Sequence, residues 1–485
     1  MHVQRVQSLS LSGGGSYEPP FSCEVRLLDF VKLDELEMIR LNCDGSILVN
    51  LTNGNADLID NTVANAFLLD SFDDVAYPVL RQLEERRYIF SSKMKRAEFL
   101  AAFDRRLEEE SKRETPNFIV VPTYSCNLDC YYCFERASIP VEAFDHENST
   151  LNVSEFFQFV DETLSSYESK FGEINKSEVT VTITGGEPLQ AKCADTIESL
   201  FGGCEKRGIG VDVVTNGLNI PDYFGLLQKY SSTIVGIQIT LDGDRDVHDS
   251  IRVSSKGKPT FDQIVRSICM LDDAGFSVNV RINATRLNIH SIDTLSPLIE
   301  NHQNVLFYVY LMQQEGCCKN VNVVPELDGL RFLDEMKKMK PALNGLLVDY
   351  HGRHLIDAVF GDRTFHPTIK VCAAMGNQFI FDACGSIYKC WWAMGSPDRS
   401  VGVCHGGKIA WNAGLIRSYR NRNVIQMEKC RSCKYRYVCG GGCTGKLDIS
   451  DLNAGAVACP DFASIINYKV HYEYESRIVG GADLC

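Results

Sequence analysis

From Asn117 to Leu311 the chain repeats one alternation, a short apolar run followed by a longer amphipathic one. The short runs are Phe118–Val121, Val179–Ile183, Val211–Val214, Val235–Thr240, Val278–Ile282 and Val305–Leu311. In Val179–Ile183 apolar residues return at every second position, as in a half-buried strand, whereas Phe261, Ile264, Ile268 and Leu271 keep the helical period. Strands alternating with helices predict a parallel sheet with right-handed crossovers, because each helix carries the chain back to the same end of the sheet. A sheet of six such units curls into a partial barrel, and chemistry in such barrels gathers at the carboxyl ends of the strands. The residues just past each strand are therefore the ones that matter.

Past the first strand runs Ser125-Cys-Asn-Leu-Asp-Cys-Tyr-Tyr-Cys133, which holds three thiols, Cys126, Cys130 and Cys133. An iron-sulfur cluster of four irons on three protein ligands keeps one iron open to an outside molecule. A zinc knuckle and scattered core cysteines are the alternatives, but structural zinc takes four ligands and no fourth is nearby in sequence. Past the second strand comes Thr184-Gly-Gly-Glu-Pro188. Its glycines let backbone approach a ligand closely, and Glu187 supplies a carboxylate suited to a cationic group. Alone, such a turn is equally a plain strand-to-helix connection. The third strand ends in Thr215-Asn-Gly217 and the fourth in Thr240-Leu-Asp-Gly243, followed by His248-Asp-Ser-Ile-Arg252. Arg252 offers a planar fork for a carboxylate, or a loop salt bridge.

A second cysteine framework lies near the C-terminus: Cys372, Cys390, then Cys430-x2-Cys433-x5-Cys439-x3-Cys443, and Cys459. A pair of zinc sites is one reading, since C-x2-C pairs often bind zinc.

With Tyr132 just before the last cysteine of the first motif, the stretch from Asn117 to Asp461 resembles the radical S-adenosylmethionine (radical SAM) superfamily, and the tail resembles its SPASM extension. The resemblance implies a partial (β/α)6 TIM-like barrel with S-adenosylmethionine and three [4Fe-4S] clusters. One cluster would sit on Cys126, Cys130 and Cys133; Cys372, Cys390 and Cys443 would belong to a second; Cys430, Cys433, Cys439 and Cys459 would close a third. For the fourth ligand of the second, His366, Cys384 and the substrate stand open. The resemblance also assigns Gly185, Gly186 and Glu187 to the amino group of the cofactor's methionine moiety. Thr240 and Arg252 would take its carboxylate, Tyr132 would lie beside the adenine, and Asn216 and Asp242 would orient the ligand. Cys317 and Cys318 fall at the barrel mouth as catalytic hydrogen donors or as structural cysteines. Cys23, Cys43, Cys193, Cys204, Cys269 and Cys404 are read as structural.

Residues 1–20 read as a flexible lead-in, 21–115 as a winged-helix-like α+β module, 116–345 as the barrel and 346–485 as the cysteine-rich domain. A net charge of −14 offers no general attraction to nucleic acid or anionic lipid. With no apolar signal segment and no membrane-length run, a cytoplasmic protein is expected, its thiols serving as metal ligands. The expected partners are a precursor peptide or protein substrate and a flavodoxin- or ferredoxin-type electron donor. The function expected is maturation of a ribosomally made peptide by thioether or carbon-carbon crosslinking or by epimerisation. Anaerobic sulfatase maturation is the alternative, and a non-catalytic iron-sulfur carrier or peptide-binding scaffold is the alternative of another class. Sulfatase-maturing enzymes characteristically carry Asp after the cysteine matching Cys390, where this chain has Trp391 and Trp392. An indole is a donor only and cannot act as that base.

Overall fold

A computed structural model describes residues 7–8, 30–41, 45–135, 151–300, 302–312, 329–339, 347–349, 352–361, 363–453, 455–460 and 462–475. Strands β3 (Leu36–Arg40), β4 (Ser46–Asn50) and β5 (Ala56–Ile59) form an antiparallel meander, with β1 (Gln7–Ser8) parallel along β5. That pairing falls inside the stretch read above as an unstructured lead-in. Helices α1 (Asn61–Leu69) and α2 (Tyr77–Glu85) follow, and β2 (Val31–Lys32) pairs with β6 (Ile89–Phe90). Asp60 caps α1 by accepting the Val63 N–H at 2.9 Å, the usual way to satisfy a first-turn donor. Every residue of β4 is buried, because this sheet packs on both faces. Leu48 and Ile59 meet Phe67 and Leu83 on one face, while Ile39, Ile47 and Val49 meet Leu355, Val359, Phe462 and Ile466 on the other. Arg436 pairs with Glu35 at 2.6 Å, so the module is also fastened to the C-terminal cysteine region by a nearly buried ion pair.

After α3 (Lys93–Lys112) the six expected strands appear as β7 (Asn117–Val121), β8 (Thr180–Ile183), β9 (Gly210–Thr215), β10 (Ile234–Thr240), β11 (Val278–Ala284) and β12 (Val305–Leu311). All run parallel in chain order. Val179, Val181 and Ile183 are buried under the outer helices, whereas Thr180 and Thr182 are half-buried on the other face. The outer layer includes α4 (Val153–Phe171), α5 (Ala194–Glu205), α6 (Ile220–Lys229), α7 (Arg245–Ile251) and α8 (Phe261–Asp273). Ile264, Ile268 and Leu271 of α8 are buried, as their spacing predicts.

The sheet does not stop at six strands. A short β13 (Leu347–Asp349) continues it beyond β12. On the other side β14 (Gln378–Asp382) lies parallel to β7, followed by the antiparallel β15 (Ser386–Tyr388), β16 (Gly402–His405) and β17 (Lys408–Trp411). The result is one eleven-stranded sheet in which the C-terminal region extends the barrel. All five residues of β14 are buried, the mark of a strand covered on both faces. Among the described residues no helix is long and apolar enough to cross a membrane.

Candidate active site

A cavity of about 1010 Å³ opens at the carboxyl ends of the parallel strands, bordered by Cys126, Cys130 and Cys133 and by Tyr132, Gly185, Gly186, Asn216, Thr240 and Arg252. The turn after β8 is bonded to the base of the cysteine loop: the Gly186 N–H donates to Thr123 O at 3.0 Å and the Glu187 N–H to Ser125 O at 2.9 Å. The two glycines answer to this contact. A Cβ at Gly185 would stand 2.4 Å from Thr123 O, and one at Gly186 would stand 2.3 Å from Ser125 O. Close approach does require glycine here, but the first thing approached is the protein's own cysteine loop.

Glu187 is fully buried behind the cavity wall. Its Oε1 accepts from Thr215 Oγ1 at 2.8 Å and Leu189 N–H at 2.9 Å, and its Oε2 accepts from the Asn216 N–H at 2.7 Å. The carboxylate thus binds the end of β9 to the turn after β8 and sets the position of Asn216. The Asn216 amide in turn donates to Asn127 Oδ1 at 2.7 Å, inside the cysteine loop.

Asp242 is likewise buried behind the wall. Its Oδ1 accepts the Asn283 N–H at 2.9 Å, its Oδ2 accepts from the Tyr132 hydroxyl, and Arg252 Nη1 lies 3.6 Å away. Arg252 Nη1 also donates to the Tyr132 oxygen at 2.6 Å. Tyr132 therefore presents a fixed ring to the cavity while its hydroxyl belongs to the Asp242–Arg252 network. Arg252 borders the cavity and faces the Cys130 thiol, and its Nε is buried without a partner among the described residues. Such an orphan donor suits an anionic group of a ligand.

His248 explains why this network holds its shape. Its Nδ1 accepts the Asp242 N–H at 3.1 Å, which leaves the proton on Nε2, 3.2 Å from Thr260 Oγ1; that hydroxyl donates to Arg252 O at 2.9 Å. Burial, then the Arg252 charge, pushes the imidazole down to about 3. Unfolded chain takes up this proton below about pH 6.5, while the folded protein resists until about pH 3. The contribution of neutral His248 to stability is thus complete above pH 6.5 and declines as pH falls from there. Denaturation measured at about pH 7 and 5.5 should show a loss of about 1.3 kcal/mol from this group. His248→Gln should remove that part of the slope, and an unchanged slope in the variant would count against a neutral buried imidazole.

Sequence reasoning missed Asn283, which reaches Tyr132 from the end of β11, and Glu135. Glu135 borders the cavity, and its burial, with the Glu187 charge, pushes it up to about 8. Nothing in the local sequence marks either residue; the pairing of β10 with β11 brings Asn283 in. Cys317 and Cys318 lie outside the described residues.

Thiols that the resemblance assigns to one cluster lie close enough to act on one another. Burial, with Cys130 and Cys133 among its neighbouring groups, pushes the Cys126 thiol up to about 12. Cys390 is pushed up to about 12 by burial and then by Cys372 and Cys443, and Cys430 to about 11 by burial and then by Cys439, Cys433 and Cys459. Thiols crowded in this way do not ionise together without a cationic centre, so the donor sets fit iron-sulfur clusters. Among the described residues no three of His, Cys, Asp and Glu gather around a position for one metal ion. His366 is exposed, and Cys384 lies in the turn after β14, its thiol raised by burial and by Asp382.

Residues 120–297 match the family model described as the radical SAM superfamily. Mycofactocin maturase MftC of Mycolicibacterium smegmatis is 25% identical over 338 residues, 66% of this chain and 76% of that protein. The serine-type anaerobic sulfatase-maturating enzyme of Bacteroides thetaiotaomicron is 23% identical over 355 residues, 66% of this chain and 80% of that protein. In fold the chain is similar to Streptococcus suis SuiB bound to precursor peptide SuiA, with a TM-score of 0.50 at 18% identity, covering 85% of this chain and 95% of SuiB. S-adenosylmethionine and a [4Fe-4S] cluster follow as its cofactors, and the carrier reading is set aside. The chain is an enzyme of the radical SAM type, with its radical SAM domain built on the parallel strands that carry Cys126, Cys130 and Cys133.

Proposed function

We propose that the protein matures a ribosomally made peptide, forming a thioether or carbon-carbon crosslink or inverting a stereocentre, with two auxiliary [4Fe-4S] clusters in its C-terminal region. The observation that carries this reading is the pair Trp391–Trp392, which borders the cavity directly after Cys390. In the sulfatase-maturing enzymes the chain resembles, a carboxylate base is characteristic of that position, and an indole accepts no proton there. The N-terminal module, a small sheet with two helices, is of a kind suited to holding a leader segment.

When bound and reduced by one electron, the cluster and S-adenosylmethionine supply methionine and a 5′-deoxyadenosyl radical that takes hydrogen from carbon. Arg252, whose Nε is free for a ligand, would hold the cofactor's carboxylate together with Thr240, and the backbone at Gly185 and Gly186 its amino group. Phe134, its ring tilted against Trp392 with centroids 4.7 Å apart, forms with Trp391 and Met312 an apolar wall that keeps water from a reactive carbon centre. A flavodoxin- or ferredoxin-type protein would deliver the electron.

Sulfatase maturation is the second reading, favoured by the similarity to the Bacteroides thetaiotaomicron enzyme. The two separate in one experiment. Reduced, reconstituted protein is given S-adenosylmethionine with a synthetic sulfatase-motif peptide or with precursor peptides encoded beside its gene, and products are read by mass spectrometry. A crosslinked precursor, or one that takes up solvent deuterium at an epimerised carbon, is the expected result. Formylglycine in the sulfatase peptide, with every precursor unchanged, would replace the proposal by its alternative.

A further inference from the structure

Among the described residues Arg422 is the largest side chain with less than 2% of its surface exposed, at 1%. It follows α9 (Ala413–Arg420) in a short turn, its backbone N–H bonded to Tyr419 O at 3.2 Å. Its Nε, Nη1 and Nη2 all lack a hydrogen-bond partner among the described residues. Native proteins almost never leave a buried guanidinium in that condition, since every one of its donors has lost water and gained nothing. The groups whose charge acts on it are Cys430, Cys443, Tyr419 and Cys372. Cys430 belongs to one cysteine set, and Cys372 and Cys443 belong to the other. A buried cation with unused donors thus lies within electrostatic reach of both groups of sulfur ligands.

We infer that Arg422 is the shared cation of the two auxiliary cluster sites, donating N–H bonds to thiolate or sulfide sulfur on both sides and raising the reduction potential of both clusters. The inference rests on the reading of these cysteines as cluster ligands. A second buried cation, Lys389, stands beside the same set but is already engaged: its Nζ donates to Gly376 O at 2.8 Å and lies 4.1 Å from the centre of the Phe379 ring. Arg422 has no such partner among the described residues, so its donors are open to the clusters. Net charge and hydrogen bonds to sulfur are among the levers that set cluster potentials. A fixed positive charge favours the more negative, reduced state, and two clusters that share it are both drawn toward accepting electrons. Arg422 is a positioning and electrostatic residue in this scheme; it does not touch substrate.

The test uses the full chain with Cys126, Cys130 and Cys133 replaced by Ala, so that the auxiliary clusters alone are observed. Iron content and the potentials of the clusters are measured by anaerobic redox titration followed by EPR, for this parent and with Arg422→Gln or Arg422→Lys added. About eight irons are expected in the parent, for two four-iron clusters. Arg422→Gln should move the one-electron reduction equilibrium at least about tenfold toward the oxidised form, a fall of about 59 mV, and Arg422→Lys, which keeps the charge, should restore most of it. If Gln costs iron instead, retention of iron and potential by Lys still supports the charge. Unchanged potentials in an iron-replete Gln variant, or a Lys variant as defective as Gln, would overturn the inference. A parent with no iron would remove the auxiliary-cluster reading itself, before any Arg422 variant is compared.

Discussion

Replacing Cys126, Cys130 and Cys133 together by Ala is expected to abolish formation of 5′-deoxyadenosine and to lower iron from about twelve to about eight per chain. These three thiols border the cavity, stand among one another's neighbours and follow the first parallel strand, where a barrel places its chemistry. The variant should fold, because none of the three is a fully buried packing residue. Anaerobic iron and sulfide analysis beside a cleavage assay gives the answer. Cleavage that survives the triple change would mean that the open iron is held elsewhere.

Gly186→Ala should come close to the same loss of activity by a different route. The added methyl group meets Ser125 O at 2.3 Å and Tyr124 O at 2.4 Å, both backbone atoms that cannot swing aside. The loop that presents Cys126 must then move, at a cost of about 1–3 kcal/mol in stability, and iron at the first site should fall with it. Gly225→Ala is the control, since a methyl group there meets nothing within 4 Å and lies within α6. Thermal unfolding and iron content of the two variants should diverge. If they agree, the glycines serve the ligand and not the cysteine loop.

The parallel strands were legible because each is an apolar run bounded by polar turns, and the period of two in Val179–Ile183 survives into burial. β13 was not, since three residues carry no period. β14 was hidden inside a segment whose cysteines drew the reading; only its pairing with β7 reveals it as part of the barrel. At the site, the cysteines stand out by their spacing, while which of them would share a cluster comes from the resemblance. Direction was not legible. Glu187 and Asp242 turn away from the cavity because Thr215, Asn216 and Asn283, far along the chain, offer them donors. Arg422 sits in the polar stretch Arg420-Asn-Arg-Asn423, which reads as solvated surface until tertiary packing covers it.

The position of β7 in the middle of the sheet bears on synthesis. One of its edges is met by β8 within the next stretch of chain, but the other waits for β14, about 260 residues later. During translation the strand that leads into the cysteine loop therefore spends most of the chain's emergence with an unpaired edge, the kind of surface that invites pairing with other chains. A protein shortened before Gln378 would keep every motif of the first cluster and still lack the strand that closes its flank. Barrel and tail are thus joined through one continuous sheet, and a shortened chain would leave β7 with an open edge.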